Sequence, residues 1–154
     1  MLKSFFFALL FVAMPAAAQD GDAAERQAVL AGVERLFAAM LARDAAAIPQ
    51  ITDPAGIVTA LTMDGGGGSS IATSSWAEFA QRLPQVPAPI RERMFDPEVR
   101  IRGDLALVWS RYDLWIGETF SHCGTDLFEL IRRDGRWLLL HASFTRERTG
   151  CERR

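Results

Sequence analysis

Apolar residues recur at intervals of three and four through Val29, Leu30, Val33, Leu36, Phe37, Met40 and Leu41. This period predicts a long amphipathic helix, opened by Asp22 with Glu25 as a capping box and ending near Arg43. Asp44 then caps a short second helix, Ala45 to Ile51, which Asp53-Pro54 closes. From Gly56 the pattern changes to alternation. Residues 56–62 and 70–73, separated by Asp64 and the glycines Gly65 to Gly68, predict a β-hairpin with a flexible tip. No Gly-Lys-Ser/Thr follows those glycines and no long helix starts there, so they do not form a phosphate loop. Ser74 or Ser75 caps a third helix carrying Trp76, Phe79, Ala80 and Leu83, and the cluster Pro84, Pro87, Pro89 stops it.

The remainder reads as sheet. Residues 90–102, 105–117, 122–133 and 136–145 alternate or run apolar over strand lengths, with turns at Gly103-Asp104 and Asp134-Gly135. They predict a four-stranded antiparallel meander, strongly curved because the strands are long, with Pro97 at a bulge or an edge. The fold class is therefore α+β, a curved antiparallel sheet wrapped around three helices from the N-terminal half.

The first eighteen residues stand apart from this plan. Lys3, an apolar run from Phe5 to Met14, and Ala16-Ala17-Ala18 have the charge, length and small residues of an export signal. The run is shorter than the roughly 20 residues a permanent membrane span requires. The expectation is a leader over 1–18 and a single mature domain over 19–154, exported to the bacterial periplasm or secreted, with no membrane attachment after cleavage.

Charge excludes one class of partner. The chain has 17 basic and 19 acidic residues, a formal −2, which becomes −3 when Lys3, the only charged residue of the leader, is removed. Such a balance leaves no electrostatic footprint for nucleic acid. The arginine-rich end, Arg146 to Arg154, reads as a solvated tail. Export gives Cys123 and Cys151, the only cysteines, a definite meaning, because an oxidising compartment makes two thiols a disulfide. Neither has a partner at zinc-finger spacing.

The order of elements, together with Arg43-Asp44 at the start of the second helix and Asp134-Gly135-Arg136-Trp137-Leu138-Leu139 in the last hairpin, resembles the nuclear transport factor 2-like superfamily. SnoaL-like and ketosteroid-isomerase-like proteins belong to it. The resemblance covers roughly residues 22 to 148 and implies a cystatin-like α+β cone whose concave sheet face forms a pocket, often in a homodimer. The segments Ser121-His122-Cys123-Gly124 and Arg148-Thr149-Gly150-Cys151 also resemble exported bacterial members of unassigned role. Steroid-isomerase chemistry does not carry over. The only tyrosine is Tyr112, and the first helix presents Phe37 and Met40 where that enzyme brings a phenol inward.

Strand pairing sorts the polar residues. If Asp134-Gly135 is a two-residue turn, Ser143 faces Asp126, His141 faces Phe128, Cys123 faces Arg146 and His122 faces Glu147. His122 and His141 then lie roughly 20 Å apart at about 3.3 Å per residue, too far to share a metal. A tight turn near Gly117-Glu118 adds Trp109 and Arg111 to the face of Asp126, His141 and Ser143. That mixture has the character of a pocket wall. The opposite face, with Val108, Tyr112, Leu114, Leu127, Leu138, Leu140 and Phe144, reads as packing surface. The four tryptophans, Trp76, Trp109, Trp115 and Trp137, read as core.

Three functions remain open. The leading expectation is a cofactor-free, metal-free protein that binds a small apolar or amphipathic molecule through Trp109, Arg111 and Ser143. The second is a cyclase, isomerase or hydrolase using Asp126 and His141 as acid and base. The third is an interaction module. Large apolar residues on both sheet faces, only one of which three helices can cover, predict a homodimer.

Overall fold

In the computed structural model, which describes residues 16–65 and 67–151, three helices pack on one face of a single six-stranded sheet. The expected export leader lies almost wholly outside the described residues. Helix α1 (Ala16–Ala42) begins upstream of Asp22, so Asp22 lies inside a helix and does not cap it. Alanine, the strongest helix former, is abundant in this stretch. Glu25, expected to complete the capping box, reaches instead across to the last hairpin. Its carboxylate accepts hydrogen bonds from Trp137 Nε1 at 2.7 Å and from the Arg132 guanidinium. The helix ends as expected at Arg43, which is left-handed with φ 53°. Arg43 N–H donates to the Met40 carbonyl at 3.1 Å and Asp44 N–H to that of Ala39 at 2.8 Å, satisfying two otherwise orphaned carbonyls.

The Asp44 carboxylate accepts from the Ala46 and Ala47 amides at 2.9 and 3.2 Å and so opens the turn into α2 (Ile48–Ile51). The hairpin β1 (Ile57–Met63) and β2 (Ser69–Ser75) follows. Ser75 then caps α3 (Trp76–Arg82). Its Oγ accepts from Glu78 N–H at 3.2 Å while its own N–H donates to the Glu78 carboxylate at 2.8 Å. The meander consists of β3 (Ile90–Arg102), β4 (Leu105–Ile116), β5 (Thr119–Arg133) and β6 (Arg136–Arg146). Pro97 sits at a bulge, where the β3–β4 register shifts between Phe95 and Glu98.

Hairpin and meander are antiparallel, as the turns require, and one parallel pairing joins them. Strand β1 runs beside β6, with Val58 opposite Ala142 and Thr62 opposite Arg146, giving the order β2-β1-β6-β5-β4-β3. The helices cover the concave face. Val29, Val33 and Leu36 of α1 and Ile48 of α2 are buried in one cluster with Val108, Phe128, Leu130 and Leu139 of the sheet. Each such side chain contributes about 1.5–3 kcal/mol by leaving water. Trp76 and Trp137 are core, whereas Trp109 is 49% exposed on the convex face.

Cys123 and Cys151 form a disulfide. Cys123 pairs in the ladder with Glu147, exchanging hydrogen bonds of 3.0 and 2.9 Å, and not with Arg146. That one-residue difference has a cause further along the strand.

Candidate functional site

Two bulges decide which side chains enter the cone. Along the last hairpin the expected register holds from Arg133 opposite Arg136 to Leu130 opposite Leu139. It then slips, so that Glu129 faces His141 and Asp126 faces Phe144, with Leu140 as the extra residue. The Trp76 indole N–H donates to the Leu140 carbonyl at 2.9 Å, and the Ile57 amide donates to His141 Nδ1 at 3.1 Å. Gly56 completes the fit, because a Cβ there would lie 1.5 Å from the Leu140 oxygen. On the other side of β5 the turn at Gly117-Glu118 forms as expected. A second shift follows at Ser121, however, and sets Ser110 opposite Asp126.

A slip of one residue moves a strand's side chains to the other face. Asp126 therefore stays inside, 2% exposed, while the residues grouped with it do not. Trp109, Arg111, His141 and Ser143 belong to the convex face. Trp109 and Ser143 line an apolar depression there with Leu61, Ile71 and Leu127, and Arg111 pairs with Asp96 at 3.6 Å. The grouping of Asp126 and His141 on one sheet face as acid and base is thereby corrected. His141 holds the start of β1. Val108, Tyr112 and Phe144, assigned to the opposite face, share the interior with Asp126.

The partner of Asp126 inside the cone is Glu92, which the sequence reading missed. The two carboxyls are hydrogen-bonded to each other, which requires a shared proton. Among the described residues no N–H or hydroxyl donates to the buried Asp126 Oδ2. Burial is the largest cause that raises the pKa of both acids; the charge of Glu92 raises Asp126 further, whereas the hydrogen bond from Asp126 draws Glu92 partly back, so the pair titrates as a unit. One sequence signal pointed to Glu92. It lies between Ile90 and Met94 at the inward positions of an alternating strand.

Tyr112 lies beside this pair. Its hydroxyl donates to the Thr145 carbonyl at 2.7 Å, and its ring meets His122 and Phe144 edge-on at 5.8 and 6.2 Å. Burial, then the charges of Asp126 and Glu92, push the phenol above its ordinary range. Burial, helped by the positive charges of Arg146 and Arg148, pushes the His122 imidazole down to about 4, so it is neutral at pH 7. Ser121 Oγ lies 2.9 Å from His122 Nδ1, and His122 Nε2 is buried without a hydrogen-bond partner among the described residues.

A cavity of about 370 Å³ lies between α3 and the concave side of the β1–β2 hairpin. Val58, Ala60, Phe79, Leu83, Val86 and Ile90 supply an apolar wall, and Thr62, Thr73, Ser74, Arg82 and Arg146 supply polar groups. Arg146, expected in a solvated tail, is thus the last residue of an inner strand. Among the described residues no cluster of histidine, cysteine and carboxylate suits a metal ion.

The acid pair gives a pH prediction. Asp126 has a folded-state pKa above its unfolded value of about 3.9, so its contribution to stability is complete below about pH 4 and is lost as pH rises through the folded value. Asp126→Asn removes that loss. The variant is expected to exceed the parent in stability by on the order of 1–3 kcal/mol at pH 8, with the difference vanishing toward pH 4. The His122 effect has the opposite sign, stability falling as pH drops below about 6.5, and it cancels in the comparison. Urea unfolding across this range measures the difference; a pH-independent loss in the variant would contradict the shared proton.

No protein-family model matches this sequence, and no curated protein does. Solved structures do. A protein of unknown function from Mycobacterium tuberculosis superposes with a TM-score of 0.70 at 18% identity, covering 86% of this chain and 77% of that one. A nuclear transport factor 2-like protein with a cystatin-like fold from Novosphingobium aromaticivorans gives 0.67 at 14% identity, covering 88% and 90%. A nuclear transport factor 2-like superfamily protein from Salmonella enterica serovar Typhimurium gives 0.65 at 10% identity, covering 84% and 96%. Together with the curved six-stranded sheet closed on one face by helices, these likenesses establish that the chain has the nuclear transport factor 2-like, cystatin-like cone fold.

Proposed function

We propose that this protein is an exported, cofactor-free binder of a small apolar or amphipathic molecule, working in the periplasm as a homodimer. The observation that carries the reading is the cavity of about 370 Å³ beside α3, apolar over most of its wall with a few convergent polar groups, the ordinary make-up of a small-molecule site. Export is supported by the leader sequence and by the disulfide. No described helix is long and apolar enough to cross a membrane. Native mass spectrometry of protein purified from its own periplasm tests the reading, with a retained small molecule on a dimer as the expected result. A ligand-free protein whose melting temperature no apolar or amphipathic compound raises would overturn it.

The homodimer rests on the convex face. Ile71 is 70% exposed and Trp109 49% exposed, around a depression shared with Leu61 and Leu127. In a two-fold dimer each residue is buried twice, so a charge placed there acts twice. Ile71→Lys is expected to weaken association by about tenfold or more. Sedimentation of the parent as a monomer at micromolar concentration would count against the dimer.

A second reading, an enzyme of the cyclase, isomerase or hydrolase sort, is favoured by one observation. Asp126 and Glu92 share a proton beside Tyr112, and such a pair suits acid and base work near neutral pH. Under that reading Asp126→Asn abolishes turnover; under the binding reading it shifts affinity alone.

A further inference from the structure

We infer that the cavity beside α3 selects a molecule with a carboxylate head and an apolar body, and that the Arg146 guanidinium receives the head. The inference rests on the binding reading above and specifies its ligand class. Arg146 is the point where the apolar wall meets charge. It enters the cavity from the end of β6, in line with Thr62 of β1. Its Nε is buried and has no hydrogen-bond partner among the described residues. Among the described residues it forms no ion pair.

A buried guanidinium donor without an acceptor is costly. The nearby groups do not relieve it. The guanidinium lies over the Phe144 ring at 5.6 Å, which engages its face and leaves the in-plane N–H groups open. Glu92 and Asp126 bond to each other, and no carboxylate lines the cavity. A planar fork of donors in an apolar setting matches a carboxylate, which can accept two of its hydrogens at once. Arg82 adds a second positive charge, and the hydroxyls of Thr62 and Ser74 offer further donors. The rest of the wall, Val58, Ala60, Phe79, Leu83, Val86 and Ile90, has nothing to offer a polar tail. Taking about 30 Å³ as the liquid-state share of one water molecule, a cavity of about 370 Å³ holds on the order of a dozen non-hydrogen atoms.

Decanoate and decanol, equal in chain length and different in charge, separate the head-group inference from the cavity reading. Calorimetric titration of the intact protein at neutral pH is expected to give decanoate an affinity about tenfold or more above that of decanol. Arg146→Gln should weaken decanoate far more than decanol and so erase that preference, Arg146→Lys should keep part of it, and Arg82→Gln should reduce it less than Arg146→Gln. Equal binding of the two by the parent protein overturns the carboxylate inference and leaves the cavity reading standing. Retention of the preference by Arg146→Gln overturns the assignment to Arg146. Failure of the parent to bind either molecule overturns both readings. The parent comparison needs no variant, so it holds even where a substitution disturbs folding.

Discussion

Gly56→Ala is expected to cost about 3 kcal/mol or more in folding stability, seen as a lower urea midpoint at unchanged slope. A Cβ at this position would lie 1.5 Å from the Leu140 oxygen, 2.6 Å from its carbonyl carbon and 2.8 Å from Trp76 Nε1. A flexible side chain could step aside, but a backbone carbonyl held in a bulge cannot move alone. The same carbonyl accepts from the Trp76 indole, and the neighbouring His141 ring accepts from the Ile57 amide. Displacing it therefore loosens α3, the start of β1 and the register of β6 together. A variant within about 1 kcal/mol of the parent would show that the bulge can relax, and the account of how it is held would fail.

Replacing Cys123 and Cys151 together by serine is expected to cost about 3–4 kcal/mol. The bond closes a loop with a sequence separation of 28 residues, and the chain-entropy relation assigns that much to restricting the unfolded chain. The bridge also fastens the segment after Glu147 to β5, whose pairing at Cys123 is a single isolated step beyond the ladder. Thiol counting of unreduced, unfolded protein should find no free thiol. Two free thiols in protein that had folded in an oxidising compartment, or a loss below about 1 kcal/mol in the double variant, would refute the expectation.

Most of the element plan was legible because its signals are local. Strand β3 has the bounds that its alternation and the Gly103-Asp104 turn predict, Ser75 caps α3, Arg43 ends α1, and Pro97 marks a bulge. The disulfide followed from two cysteines and the expectation of export. The grouping of site residues was not legible. It assumed an unbroken ladder on both sides of β5, and each side contains an extra residue, Leu140 or Ser121. The first bulge is held by Gly56, Ile57 and Trp76, far from β6 in sequence, so no pattern within the hairpin announces it. Glu92 was within reach, as a charged residue at an inward position between Ile90 and Met94. Arg146 was read by composition as part of an arginine-rich end, although the alternation of β6 continues through it.

By itself, then, the sequence determined most of the helices and strands and their turns, because hydrophobic period, caps and turn residues act over a few neighbouring positions; the cone followed from the family resemblance. Tertiary structure alone decided that β1 joins β6 in parallel, that His141 and Ser143 leave the interior, and that Asp126 meets Glu92 there. The physical reason is the two-residue repeat of a strand: a single inserted residue inverts every face beyond it. Whether one is inserted depends on which distant carbonyls, indoles and glycines must fit against the strand.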